Sequence, residues 1–220
     1  MEGIAHFDPQ TTIVVATGNA HKVTEIEEIL AQVLPRFSFV ALGQLGNFDD
    51  PEEDGSSFYE NALIKARFAL AKTACIYALA DDSGLCVDAL DGKPGIYSAR
   101  FAGVHGDDAC NNEKLLRELE QVSPENRRAH FHCSLALIKK EPHSNLEQIF
   151  RGEGNCFGYI AEAPKGNEGF GYDPLFLPDG AHGRTMAELS SAEKNSMSHR
   201  RRALDAVSYT HLTLPTILLV

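Results

Sequence analysis

Apolar and polar positions change rhythm several times along this chain, and each change marks an element. Thr11 to Ala16 is a short β-branched run that reads as a buried strand. Thr17-Gly18-Asn19 then turns the chain. Asn19 is placed to cap a helix whose apolar residues Val23, Ile26, Leu30 and Val33 recur at helical spacing. Pro35 ends that helix, and Phe37 to Leu42 reads as a second strand. After an acidic loop from Asp49 to Gly55, Ser57 and Glu60 form a capping-box pattern that starts a helix running to about Lys72. Ile76 to Ala80 is a strand leading into Asp81-Asp82-Ser83-Gly84, with Leu85 to Leu90 as its continuation or its partner.

Asp91 to Gly106 is rich in glycine, holds Pro94 and reads as loop, and a charged amphipathic helix covers about Asp107 to Gln121. Ala129 to Ile138 alternates Phe131, Cys133, Leu135 and Leu137 against His130, His132 and Ser134, which predicts a strand with two different faces. Glu147 to Ile160 reads as another strand, with Gly152 and Gly154 hinting at bulges. Gly166 to Pro178 is a glycine- and aromatic-rich loop, and Ser190 with Glu193 offers a second capping box for a final helical region. Strands and helices are mixed, with one βα start but no regular βαβ alternation. This predicts an α/β or α+β chain with a mixed, elongated sheet.

Composition narrows the function. The 220 residues suffice for one large domain or two lobes sharing a sheet, and 43% are apolar, enough for a core. A formal net charge of −11 argues against an extended nucleic-acid binder, which needs many Lys and Arg contacts. It leaves room for a small anionic substrate, since a few basic groups hold a triphosphate and acidic groups recruit its metal. The five cysteines, Cys75, Cys86, Cys110, Cys133 and Cys156, are odd in number and widely spaced, without a CxxC pair. A reducing cytoplasm therefore fits better than a disulfide framework. No signal-peptide pattern and no run of about 18 apolar residues is present, so no membrane association is expected.

The candidate chemistry lies at a few places. Thr17 to Lys22 joins a strand to a helix, where turn amides and the helix N-terminus favour an anion. Lys22 in the first helical turn opposes the macrodipole, a conflict that a bound anion removes. An ordinary capped helix with a solvated lysine is the plain alternative. Asp81-Asp82 brings two like charges together, which a cation relieves, and hard oxygen ligands suit magnesium. A carboxylate near that metal is placed to orient or deprotonate a water. The plain alternative is an Asp-Ser-Gly hairpin turn. The acidic loop reads most simply as a solvated run, with Glu53 of interest only if it reaches the metal. Lys65 reads as a surface lysine.

Phe170-Gly171-Tyr172-Asp173-Pro174 places aromatics and a carboxylate on a flexible loop, for stacking on a purine or for anchoring a tight turn. Lys194, His199 and Arg200, followed by Arg201 and Arg202, offer donors to phosphate or carbonyl oxygen, or form a basic helix end. His130 and His132 share a strand face but lack a third ligand and read as structural.

The motifs TGNAHK, FYENALIKA, ADDSGL, GKPGIYSARFAG, GFGYDPLF and AEKNSMSHRRRAL occur in this order between Ile13 and Ala206. In that order they resemble the inosine/xanthosine triphosphate pyrophosphatase family, also called Ham1-like or RdgB, most closely its bacterial branch. The resemblance implies two α/β lobes around a long mixed sheet with a central active-site cleft, and a cytoplasmic homodimer. It implies hydrolysis of deaminated purine triphosphates (ITP, dITP, XTP) to the monophosphate and pyrophosphate, with Mg2+. A non-catalytic nucleotide sensor with the same pocket is the alternative.

Carried over by position, Thr17, Gly18, Asn19, Ala20, His21 and Lys22 hold the triphosphate, and Lys65 adds positive charge. Glu53 and Asp82 serve the magnesium, Asp82 is also the proton acceptor, and Ser83 contacts substrate. Phe170, Gly171, Tyr172, Asp173, Lys194, His199 and Arg200 line the nucleoside, with Arg200 or His199 donating to O6. Arg100 falls near the cleft in motif order without an assigned role. On this reading residues 1–206 form one two-lobed domain. Residues 207–220 depart from the pattern: they are β-branched, nearly uncharged and interrupted by Pro215. They read as a non-native extension or as a final strand or dimer contact.

Overall fold

The computed structural model describes residues 8–17, 20–31, 34–141, 144 and 146–207, with the backbone alone of Ala20 and His21. Six strands share one sheet: β1 (Thr12–Val15), β2 (Ser38–Ala41), β3 (Tyr77–Val87), β4 (Arg128–Lys140), β5 (Glu147–Ile160) and β6 (Phe176–Pro178). Their order is β2-β1-β3-β4-β5-β6. β1 pairs with β2 and with β3 in parallel, whereas β5 and β6 are antiparallel. The expected mixed sheet is therefore the observed one. The helices are α1 (Ala20–Leu30), α2 (Leu42–Leu45), α3 (Phe58–Lys72), α4 (Asp108–Glu118), α5 (Ser191–Met197) and α6 (His199–Val207).

Two compact units divide these elements. Among the described residues, one comprises those of 8–82, 134–153 and 201–207; the other comprises Ser83–Cys133 and Gly154–Arg200. In the first, α3 turns a stripe of small residues, Ala62, Ala66 and Ala69, onto Val14, Ala78 and Ala80 of the parallel strands. Small side chains at helical spacing let the helix lie close to the sheet. Ser57 Oγ accepts the Glu60 N–H and caps α3, worth about 1 kcal/mol. The Glu60 carboxylate accepts from the N–H and hydroxyl of Ser56, one residue earlier than the box pattern predicts.

The second unit has its own core, in which Leu115 and Leu119 of α4 meet Leu85, Phe131, Ile160, Tyr172 and Phe176. Arg127 is buried at the end of α4. Its guanidinium donates to the carbonyls of Leu119 (2.8 Å) and Val122 (2.9 Å), joining the end of the helix to the turn that follows it. At the second capping box, Ser190 and Glu193 do bond reciprocally at the start of α5.

Several expectations need correction. Asp81-Asp82-Ser83-Gly84 is no turn: it lies inside β3, and Leu85 to Val87 is the continuation of the same strand. The stretch read as loop from Asp91 to Gly106 holds a 3-10 helix over Gly95–Arg100, and the loop from Gly166 ends in β6. α2 was not expected. At Gly152, whatever the strand geometry, an added Cβ would strike the Ala203 carbonyl of α6. The residues Gly18, Asn19, Val33 and 208–220 lie outside the described residues, and with them the expected Asn19 cap and all of the departing tail but Val207. Val207 itself is the buried last residue of α6.

Candidate active site

The parallel register builds the first part of the site. Val15, the last residue of β1, pairs with Leu79, and β3 runs on beyond it through Asp81 and Asp82. These aspartates therefore stand just past the carboxyl end of β1, where the chain turns through Thr17 into α1. Ligands of open α/β sheets bind outside such strand ends. Successive strand residues face opposite sides of a sheet. Ala78 and Ala80 pack in the α3 cluster, so Asp82 shares the α3 face and Asp81 takes the other.

Each aspartate meets its own lysine. On α1, Lys22 Nζ lies 3.1 Å from Asp81 Oδ2, whose side chain is fully buried. On α3, Lys65 Nζ lies 2.8 Å from Asp82 Oδ1 and 3.5 Å from Glu53 Oε1. Asn61, one turn before Lys65, donates to Asp82 Oδ2 at 3.2 Å. Its own Oδ1 accepts the Gly55 N–H at 2.9 Å and ties down the acidic loop that carries Glu53. The lysine expected on the surface is thus only 13% exposed at its side chain, and Glu53 is an ion-pair partner. Sequence spacing missed Asn61, and the single signal available was its place one turn before Lys65.

The electrostatics follow from an imbalance. Three carboxylates, Glu53, Asp81 and Asp82, face two ammonium groups, Lys22 and Lys65, so one negative charge is in excess. Burial works against the charge of Lys65, but Asp82, Glu53 and Asp81 outweigh it and hold its pKa above the usual lysine value. Burial pushes the Asp82 carboxyl above the ordinary aspartate value, and nearby Glu53 adds to this against the attraction of Lys65. Such a carboxylate takes up a proton more readily than an ordinary aspartate, which suits a general base.

The second unit gathers the other motif residues around Asp173. Its Oδ2 accepts from Lys194 Nζ at 2.7 Å and from the Phe170 N–H at 3.0 Å. The Lys194 ammonium also stands 4.9 Å from the centre of the Phe170 ring. Tyr172 is different. It is 4% exposed, its ring belongs to the core, and its hydroxyl donates to the Ser98 carbonyl at 2.9 Å. It anchors the turn, which leaves Phe170 as the partly exposed ring of this motif. His199 is buried and stacks on Phe131 with ring centres 5.0 Å apart, and Arg200 is fully buried. Ser83 is partly exposed in β3. Arg100 places its guanidinium over Tyr97, 5.2 Å from the ring centre. His132 Nδ1 lies 2.7 Å from Asn155 Oδ1, and His130 lies against Phe157. Gly18 and Asn19 and the side chains of Ala20 and His21 lie outside the described residues; the backbone of the last two opens α1.

The model of the Ham1 family matches residues 13–209. This chain belongs to the Ham1 family. The match begins in β1, runs through α6 and contains every site residue named above. A dITP/XTP pyrophosphatase of Halalkalibacterium halodurans is 50% identical over 191 residues, 87% of this chain and 94% of that protein. One from Geobacter sulfurreducens is 50% identical over 194 residues, 88% and 93% of the two chains. The Ham1 protein structure from Coxiella burnetii superposes with a TM-score of 0.76 at 40% identity, covering 92% of this chain and 99% of that one. The Staphylococcus aureus Ham1 protein gives 0.74 at 38% identity, covering 90% and 96%. The fold is therefore that of the Ham1 proteins.

Proposed function

We propose that this chain hydrolyses deaminated purine nucleoside triphosphates, dITP, XTP and ITP, to the monophosphate and pyrophosphate, with magnesium. The names of its close relatives support the reaction. The observation that carries it is the charge cluster at the end of β1, with an excess carboxylate and two lysines beside a strand-to-helix turn. Magnesium takes one or two carboxylates and fills its shell with phosphate and water. Glu53 and Asp82 fit that demand, since both converge on one cation, the Lys65 ammonium, at 3.5 and 2.8 Å. These two would hold the ion. When bound it would neutralise charge on the phosphates and on the departing pyrophosphate.

The chain's own residues do the rest. Lys22 and Lys65, now paired with carboxylates, exchange those partners for phosphate oxygens. The N–H groups opening α1 add to the phosphate cradle. Asp82 Oδ takes the proton of the water that attacks the α-phosphorus, so the bond to the bridging oxygen breaks and pyrophosphate leaves. Phe170 offers a ring face to the purine, and Lys194, oriented by Asp173, offers a donor to its 6-oxo edge. A site built to pair with that edge leaves its donors unmatched by adenine and so discriminates strongly. Arg200 and His199, expected from the resemblance to donate to O6, are 2% and 8% exposed, so Lys194, with a side chain 16% exposed, takes that role in this reading.

A homodimer belongs to the same reading. It is supported by Phe157 and Tyr159 on the outward face of β5, which are 45% and 37% exposed. A cytoplasmic setting belongs to it as well, supported by five widely spaced cysteines without a CxxC pair. Among the described residues no helix is long and apolar enough to cross a membrane. Phosphorus NMR of the products from dITP, XTP, dGTP and dATP, with and without magnesium, tests the proposal. Pyrophosphate from the first two in magnesium supports it. Orthophosphate as product, equal turnover of all four, or binding without turnover sinks it.

A further inference from the structure

The segment 166–174 is tied at its base by backbone bonds from the Glu168 N–H to the Ala187 carbonyl and from the Ala187 N–H to the Asp173 carbonyl. It contains three glycines with positive φ, Gly166, Gly169 and Gly171, at 79°, 82° and 62°. Two side chains one helical turn apart on α4 hold its tip. Asp108 Oδ2 accepts the Gly171 N–H at 2.7 Å, and Asn112 Nδ2 donates to the Gly171 carbonyl at 2.8 Å. Positions i and i+4 share a helix face, so both reach one residue. The polarity is matched: a carboxylate accepts only, and the amide supplies the donor that a carbonyl needs. Gly171 lies between Phe170, whose ring is partly exposed, and Tyr172, whose hydroxyl is fixed to Ser98.

The same helix also grips the segment before it. Asn111 Oδ1 accepts the Ala102 N–H at 2.7 Å, and Lys114 Nζ donates to the Phe101 carbonyl at 2.7 Å. α4 is therefore a bracket that ties two motif segments to one rigid element.

We propose that Asp108 and Asn112 are positioning residues for base recognition, which set the Phe170 ring and Asp173 by gripping Gly171 at its N–H and its carbonyl. This rests on the reading of Phe170 and Asp173 as nucleoside-lining residues. Without the grip the Gly171 N–H and carbonyl lose these two bonds, and binding energy goes into ordering the residue beside the Phe170 ring. The cost falls on the base-dependent part of recognition and leaves the charge cluster untouched.

Pyrophosphate release from dITP, XTP and dGTP by the full chain tests this, with wild type, Asp108→Ala, Asp108→Asn and Asn112→Ala compared. Asp108→Ala and Asn112→Ala should each lower kcat/KM for dITP about tenfold, mainly through KM, and narrow the preference over dGTP. Asp108→Asn keeps an acceptor oxygen and should recover most of the loss. Circular dichroism checks the fold, and Asn112→Ala carries the test if Asp108→Ala folds poorly. An unchanged preference in folded variants of an active enzyme overturns the positioning role alone. Equal damage by Asp108→Asn and Asp108→Ala overturns it too, since the charge of Asp108 at the start of α4 then accounts for the effect. A wild type that releases no pyrophosphate from any substrate overturns the proposed function and this inference with it.

Discussion

In the first unit, Lys22, Glu53, Lys65, Asp81 and Asp82 come from separate segments and are held against one another by charge at low exposure. In the second, Phe170 to Asp173 form one short segment held by hydrogen bonds to backbone, with Tyr172, Asp108 and Asn112 as the fasteners. The difference teaches what each set is suited for. Groups paired by charge are exchangeable: a metal ion and a polyphosphate offer each of them a new partner of the right sign. Groups fastened by directional hydrogen bonds keep their shape, which suits the reading of a base edge.

The comparison breaks most severely at Asp82. Asp82→Asn should lower pyrophosphate release about 10²–10⁴-fold while leaving the circular dichroism spectrum unchanged; near-normal turnover in the folded variant removes Asp82 from proton transfer. Next comes Lys65→Met, which leaves Asp82 buried beside Glu53 without its cation. Urea denaturation should show a loss of about 3 kcal/mol, since an uncompensated buried charge is the costly outcome. The same variant has a pH signature. The folded pKa of Lys65 is raised above 10.5, so its stabilisation is complete below pH 10.5 and lost as pH rises through the raised value. Wild type should therefore lose stability in that alkaline window through a limb that Lys65→Met lacks.

Tyr172→Phe probes the other kind of fastening. It leaves the Ser98 carbonyl without its donor and should cost about 1–2 kcal/mol by thermal denaturation. Burial, with Asp108 and Glu118 adding to it, holds the Tyr172 phenol well above its usual value. The cost should therefore be flat across neutral pH, and a strong pH dependence there would blur the contrast between the units. The smallest effect is expected for Arg67→Ala. Its pair with Glu147, at 3.1 Å, is surface-exposed and should be worth under about 1 kcal/mol. A loss as large as that of Lys65→Met would mean that burial is not what separates the two pairs.

Local patterns made much of the fold legible. The β-branched run of β1, the capping residues Ser57 and Ser190, and the two-faced alternation of β4 each announced their elements, because these signals arise within a few residues of one another. The expected magnesium set, Glu53 with Asp82, falls on two carboxylates that do converge. Where chain neighbours misled, the reason was distance in sequence. Asp81-Asp82-Ser83-Gly84 has turn chemistry, yet pairing within the sheet keeps it extended. Lys65 has no good helical partner on α3, and Asp82, its partner, lies on β3, 17 residues further along the chain. Phe170 and Tyr172 look alike as stacking rings, and only packing separates the partly exposed one from the one spent on the core.

The sequence by itself determined most of the elements, because propensity and capping are carried by nearby residues, and the order of its motifs carried the resemblance to the family. Only the tertiary structure decided that Asp81 and Asp82 face opposite sides of β3, each toward its own lysine. It alone put Asp108 and Asn112 of α4 on either side of Gly171. Strand register and helix docking fix such meetings, and both depend on which distant surfaces bury together, a quantity that no local window of the chain contains.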